Sequence, residues 1–310
     1  MSRKKYPTTP RRRPNIGQII LMMVMSFVAL LLLIYGGLGL TRPPRTDLEQ
    51  QLFPGVSYQR EFRSTPRQTM LHIVTIDLTT PNLKFLVTPG TPSTDGKEVK
   101  ARTTSSFLSE FGVKLAINAS FFIPFYEHNP WNYYPHVGDR VNILGQAISN
   151  GNIYSPGEKI WPVMCISPSN SIQIRAEKCP EGTMQAISGN RLLVERGEPI
   201  PLDIDESEAK FLPCTAVGIN EAGDKLWIIV VDGRQPFYSE GLNLAQLRDI
   251  FIELGVYTVL NLDGGGSSTL IMEQHGQPKV LNAPIHTRVP MRQRPVANHL
   301  GIYFAGMAAN

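Results

Sequence analysis

From Ile19 to Leu40 the chain runs without a single charged residue. At about 1.5 Å per residue, a helix of this length crosses roughly 30 Å of hydrocarbon, enough to span a bilayer. Arg3, Lys4, Lys5, Arg11, Arg12 and Arg13 precede it with no acid among them. The positive-inside tendency then puts the N-terminus in the cytoplasm and everything after Arg42 on the far side. A cleaved signal peptide is the competing reading. The run exceeds a usual h-region, and Gly39-Leu40-Thr41 is a poor small-x-small cleavage site, which favours an uncleaved anchor. The expected organisation is a basic cytoplasmic tail at residues 1–18, a transmembrane signal-anchor at 19–40 and a linker at 41–54 around Pro43-Pro44. One main folded domain follows at 55–306.

The formal net charge of +4 is misleading until it is located. Setting aside the six N-terminal cations leaves the other residues at −2. That argues against nucleic acid as a partner, because such binding needs a basic face on the folded domain rather than on a tail. With 42% hydrophobic and 18% charged residues, the chain can bury a sizeable core. Cys165 and Cys179 are close enough in sequence to bridge two strands of a hairpin, whereas Cys214 sits in another segment; three small buried residues without a bond fit equally well. No spacing reads as a zinc site.

Thr69–Leu78 and Leu83–Val87 have strand composition, and Thr79-Thr80-Pro81-Asn82 between them suggests a hairpin. Trp161 to Ile174 is a second hairpin-like region. Two distant segments share one plan. Phe107–Phe111 leads to Gly112, the apolar run Val113–Ile117 and then Asn118-Ala119-Ser120. Phe251–Leu254 leads to Gly255, the run Val256–Leu260 and then Asn261-Leu262-Asp263. Each glycine suits a left-handed helix end, and each run suits a buried strand. Asn243 is an N-cap for the second helix, with Gln246 three residues on. An internal duplication and a merely shared local geometry both fit. The expectation is an α+β fold with a mixed β-sheet core flanked by helices.

Each of these strands ends in polar residues. By alternation Asn118 shares a face with Ser120, and Asn261 with Asp263. After the second strand, Gly264-Gly265-Gly266-Ser267-Ser268 allows close backbone approach, and its amides and hydroxyls suit a phosphate, though a tight glycine turn fits equally well. It is neither a P-loop nor a dinucleotide-binding turn. A third strand, Leu226–Val231, ends in Asp232-Gly233-Arg234. Alternation gives Asp232 and Arg234 one face, the arginine suited to phosphate and the aspartate to acid, base or cation work; an exposed ion pair is the bland alternative.

Asn118-Ala119-Ser120-Phe121-Phe122, Thr215-Ala216-Val217-Gly218, Val230-Val231-Asp232-Gly233-Arg234 and Asn261 to Ser268 stand in this order. The arrangement resembles the phosphodiester glycosidase domain, shared by uncovering-enzyme-like proteins and bacterial exopolysaccharide-type relatives. Ala186-Ile187-Ser188-Gly189 and Val296-Ala297-Asn298 are similar to its minor motifs. The resemblance implies hydrolysis of a sugar-1-phosphodiester, of N-acetylglucosamine-1-phosphodiester type, in an extracytoplasmic glycan, releasing the sugar. It carries polar positions over to Asn118, Asp232, Arg234, Asp263, Ser188 and Asn298. One departure is Cys214, where many members have arginine.

Glycosidic cleavage uses two carboxyl groups flanking the bond. The expectation assigns them to Asp263 and Asp232, with Arg234, Gly264, Gly265, Gly266 and Ser267 holding phosphate and Asn118 orienting sugar hydroxyls. A divalent cation has room beside the two aspartates, but no complete ligand set can be named, so no metal is assigned. Phe125, Tyr126, His128, Trp131, Tyr133, Tyr134 and His136 form an aromatic insertion, read as a lid or specificity wall or as a loop folded on its own rings. A silent glycan-binding envelope protein and a phosphodiesterase attacking phosphorus are the readings from other classes.

Overall fold

A computed structural model describes residues 15–91, 94, 96–157, 160–202 and 210–306. The six-cation cluster of the expected tail lies outside them. The apolar run forms the helix Ile16–Leu40, and Asn15 and Gln18 close a capping box at its start. No residue of this helix is buried, and its mean hydropathy over the most apolar window is 2.7. Apolar side chains on every face fit a lipid environment.

The second unit begins at Arg42. The stretch expected as a linker belongs to it. Leu48–Phe53 pairs antiparallel with Val56–Arg63 through Gly55, whose φ is 67°. Leu52 and Phe53 pack against the main core, and that apolar content outweighs the Pro43-Pro44 signal on which a linker was expected.

An eight-stranded sheet runs from Leu48–Phe53 through Val56–Arg63, Thr69–Asp77, Lys225–Val231, Cys214–Ile219, Thr258–Asn261 and Arg191–Glu195 to Glu198–Pro199. Both its faces are covered, which the strand Lys225–Val231 makes plain. Leu226, Ile228 and Val230 enter one core, while Trp227, Ile229 and Val231 enter another beneath the helix Leu244–Glu253. The first core is closed from the opposite side by a five-stranded sheet of Gln277–Val280, Leu270–Gln274, Leu115–Asn118, His299–Phe304 and Leu83–Val87. Strands Gln185–Ser188, Val163–Ile166 and Ile172–Arg175 of another five-stranded sheet complete it. The class is α+β, as expected, and the ladders between named strands are antiparallel.

Thr69–Asp77 and Leu83–Val87 are both strands but do not form the expected hairpin. The first pairs with Val56–Arg63 and Lys225–Val231, the second with His299–Phe304. Residues 78–82 carry the chain from one sheet to the other, so a sharp turn signal here marks a change of layer. The two helix–glycine–strand units form as anticipated. Helix Thr104–Phe111 ends at Gly112 with φ 63°, and helix Leu244–Glu253 leads to Gly255 with φ 70°. Their strands lie in different sheets, Leu115–Asn118 in the five-stranded one and Thr258–Asn261 in the eight-stranded one.

The hairpin at Val163–Ile166 and Ile172–Arg175 is present. Cys165 and Cys179 are bonded, but Cys179 lies beyond the second hairpin strand, where its N–H donates to Gln146 Oε1 at 2.7 Å. A cross-link closing this 14-residue separation contributes about 3 kcal/mol in the chain-entropy account. The double variant Cys165→Ser/Cys179→Ser is expected to lose about 3 kcal/mol of unfolding free energy with a raised m-value, since its unfolded chain is less compact, read from urea unfolding followed by circular dichroism.

Candidate active site

The two strands with polar ends meet although they belong to different sheets. Asp263 N–H donates to Ala119 O at 2.9 Å, and Leu262 N–H to Thr215 O at 2.9 Å. The Asn118 carboxamide completes the junction. Its Nδ2 donates to Asp263 O at 2.5 Å, while its Oδ1 accepts from Thr215 Oγ1 at 3.0 Å and Thr269 N at 3.1 Å. The group is fully buried and has no hydrogen left for a sugar hydroxyl beyond one on Nδ2. Asn118 therefore holds backbone rather than lining the site.

Above this junction opens a cleft of about 930 Å³. Its floor runs from Asn261 to Gly265. Phe121, Phe125 and Glu127 of the aromatic insertion line one wall with Arg288 and Arg294. The insertion is thus a wall of the cleft, with Trp131 at its tip exposed. Leu212, Pro213, Cys214 and Arg234 line the other.

Asp263 is the carboxyl group at the floor. Burial pushes it up to about 6, against the opposing pull of Arg294, of hydrogen bonds from Ser267 and the Gly264 N–H, and of Arg234. A second carboxylate, not singled out from the sequence, faces the same space. Glu127 pairs with Arg294 Nη2, and His286 Nδ1 lies 3.5 Å from its Oε2. Burial raises this carboxyl, but His286 and Arg294 together draw it down to about 2. At neutral pH it carries its charge.

Cations surround this pair. Arg191, Lys210, Arg234, Arg288 and Arg294 line the cleft against the two acids Asp263 and Glu127. Burial lowers the Arg234 guanidinium, and the charges of Arg288 and Arg294 lower it further. Mutual repulsion of this kind is relieved by an anion, and Arg234 Nε is buried without a hydrogen-bond partner. Arg294 reaches the floor as well, donating from Nη1 to Ser267 Oγ at 3.0 Å.

The glycine loop also serves these arginines. Gly265 N–H donates to Pro213 O at 2.8 Å, Ser267 N–H to Gly264 O at 3.2 Å and Ser268 N–H to Gly265 O at 3.4 Å. The Gly264 N–H goes to Asp263, and these four bonds leave the Gly266 N–H. A Cβ at Gly265 would stand 3.1 Å from Arg234 Nη2, and one at Gly266 would stand 2.6 Å from Arg294 Nη2. The glycines let two guanidinium groups lie against the backbone.

Asp232 does not reach the cleft. Its Oδ2 bonds His72 Nε2 at 2.9 Å, and its Oδ1 accepts from Asn282 Nδ2 at 3.0 Å and Ala283 N at 2.7 Å. Asn282 Nδ2 also donates to Ser268 O at 3.1 Å, so Asp232 supports the glycine loop from behind. Alternation failed here because the strand ends at Val231 and Arg234 takes a left-handed φ of 57°, turning its side chain away from the Asp232 face. The loop separates Asp232 from Asp263, and among the described residues no three His, Cys, Asp or Glu side chains gather as a metal-ligating group.

Ser188 and Asn298 are likewise interior. Ser188 Oγ donates to Gln146 O at 2.7 Å, while Asn298 Oδ1 accepts from Ser120 N at 2.8 Å and its Nδ2 reaches Ser120 Oγ at 3.2 Å. Cys214 borders the cleft with its Sγ 3.3 Å from Leu212 O, and burial pushes the thiol up to about 12, so it stays protonated. It adds no charge where many family members place an arginine, and Arg234 is the cation on that wall. Glu127, Arg288 and Arg294 were missed by sequence reasoning. Arg294 stands directly before Pro295-Val296-Ala297-Asn298, and that adjacency was the available signal.

The sequence model of the phosphodiester glycosidase family matches residues 111–303. Among solved structures, a hypothetical protein from Synechocystis superposes with a TM-score of 0.61 at 14% identity, over 85% of this chain and 64% of that one. The zebrafish N-acetylglucosamine-1-phosphodiester alpha-N-acetylglucosaminidase catalytic domain, auto-inhibited by pro-peptide, superposes at 0.56 with 20% identity, over 85% of each chain. A Burkholderia pseudomallei protein gives 0.53 at 12% identity, over 76% of this chain and 74% of its own. At these identities the likeness is one of fold. No curated protein sequence matches the chain.

The different surroundings of the two aspartates give opposite expectations for the same substitution. Asp232→Asn removes a buried, fully bonded carboxylate and is expected to cost about 3 kcal/mol, a fall in Tm of roughly 10 °C. Asp263→Asn removes a charge whose burial is unfavourable and is expected to stay within about 1 kcal/mol of wild type. Thermal melts of the two variants check both.

Proposed function

The chain belongs to the phosphodiester glycosidase family, and we propose that its cleft hydrolyses a sugar-1-phosphodiester of N-acetylglucosamine-1-phosphodiester type in an extracytoplasmic glycan, releasing the sugar. Hydrolysis of a glycan phosphodiester follows from the family. The finer reading rests above all on Asp263, a carboxyl group raised to about 6 on the floor of a cleft lined mainly by cations.

Water adds its oxygen to the anomeric carbon, and the bond from that carbon to the phosphate oxygen breaks with its electrons leaving on phosphate. One water proton stays on the new sugar hydroxyl and the other leaves through Asp263. The departing phosphomonoester has a second pKa of about 6, so it needs far less protonation than an alcohol would. That fits a cleft in which Glu127 is ionised at neutral pH and Asp263 is mostly so. What the leaving phosphate needs is countercharge, which Arg234, Arg288 and Arg294 supply. Ionised Glu127 holds Arg294 and adds negative charge beside the electron-poor anomeric carbon. Phe121 and Phe125 offer flat faces to a sugar ring. The helix Ile16–Leu40 serves as a single-pass anchor with the N-terminus cytoplasmic.

The reaction is tested on the full chain with a chromogenic aryl ester of N-acetylglucosamine 1-phosphate in ¹⁸O-water. The label is expected in the released sugar; label in phosphate would mean attack at phosphorus, and no turnover would favour a binding protein. Asp263→Asn is expected to lower kcat/KM by about 10³. Because the ionised carboxylate is the active form, kcat/KM should rise through a pH of about 6 and level off above it. A rate falling over that range would assign the protonated form instead.

A further inference from the structure

The cleft contains two kinds of apolar surface. Phe121 and Phe125 on one wall are flat and suit a sugar ring, but Leu212, Leu242 and Leu244 are aliphatic and have no face to stack. They lie on the wall that carries Arg234, the phosphate-holding side of the proposed site. Leu212 and Leu242 are fixed to each other by reciprocal backbone bonds of 3.0 and 3.1 Å.

This same wall is tied to the first residues after the membrane segment. Tyr238, in the turn that begins at Arg234, donates its hydroxyl to Pro43 O at 3.0 Å, and the Arg42 guanidinium lies 5.1 Å from its ring centre. Glu240 N–H donates to Gln68 O at 2.8 Å, and Arg45 Nη1 to Gln68 Oε1 at 3.0 Å. Pro43 follows Leu40 by three residues, at most about 11 Å of extended chain. Phe237, at the tip of the turn, is 88% exposed on a left-handed backbone.

We propose that the substrate is itself a membrane lipid: a sugar-1-phosphodiester whose second ester is a long-chain lipid alcohol, with the first part of that chain lying along Leu212, Leu242 and Leu244. The proposal rests on the glycosidase reading, with a lipid alcohol in place of the glycan as the group that keeps the phosphate, and on the helix Ile16–Leu40 spanning the bilayer. Hydrolysis leaves free sugar in water and a lipid phosphomonoester in the membrane, with the bonds and protons accounted for as above.

The test uses full-length protein in phosphatidylcholine vesicles with two substrates, the methyl and the phytanyl diesters of N-acetylglucosamine 1-phosphate, and measures released sugar. Wild type is expected to favour the phytanyl diester by at least about a hundredfold in kcat/KM. In the double variant Leu212→Gln/Leu244→Gln, checked for fold by near-ultraviolet circular dichroism, that ratio should fall at least about tenfold. Leu244→Gln alone should lower it in the same direction and serves if the double variant does not fold. Equal turnover of the two diesters overturns the lipid proposal and leaves the glycosidase reading standing. So does a preference that survives the substitutions, since it then comes from membrane partitioning alone. Turnover of neither substrate overturns both.

Discussion

The Asn118 carboxamide is the bond on which the site depends. Two sheets pack face to face through aliphatic side chains, and such contacts fix distance well but register poorly. Asn118 fixes register: one side chain binds Asp263 O, Thr215 Oγ1 and Thr269 N, taking in the ends of three strands or loops from both sheets. An unpaired amide here would be costly in so dry a place, so the three contacts stand or fall together. Asp263 inherits its position from that arrangement.

The cleft is then an electrostatic problem solved by backbone shape. Placing several arginines around two acids creates repulsion that the folded protein must tolerate before any anion binds. The glycine loop lets Arg234 and Arg294 approach the floor, Glu127 neutralises Arg294 from the side, and Asp232 braces the loop from the rear through Asn282. Asp263, buried among these groups, is left with a carboxyl poised near neutrality.

Elements set by local rules could be read from the sequence, and those set by layer changes could not. The apolar helix, the caps, both helix–glycine–strand units and the polar ends of their strands depend on residues close in sequence. The linker expected at 41–54 failed because two apolar residues in a weak strand, Leu52 and Phe53, outweigh a Pro-Pro pair once a core exists to receive them. The hairpin expected at Thr69–Val87 failed because a turn does not reveal which sheet the next strand joins. Alternation puts Asp232 on one face with Arg234, and that rule lapses where the strand ends. Glu127 and Arg294 lie far apart in sequence and acquire meaning only as a pair.

Two of the cleft arginines, Arg234 at φ 57° and Arg288 at φ 63°, sit where the backbone favours glycine or asparagine, and neighbouring Thr287 is held in the same way at 52°. Replacements that would relax the backbone at either position remove a guanidinium group, and those that keep a long cation keep the strain. Selection for stability and selection for charge therefore pull these two positions in opposite directions. On the proposed function, drift that improves the fold there erodes anion binding, and an arginine in a left-handed turn beside a glycine loop then marks an active copy of this cleft against a decayed one.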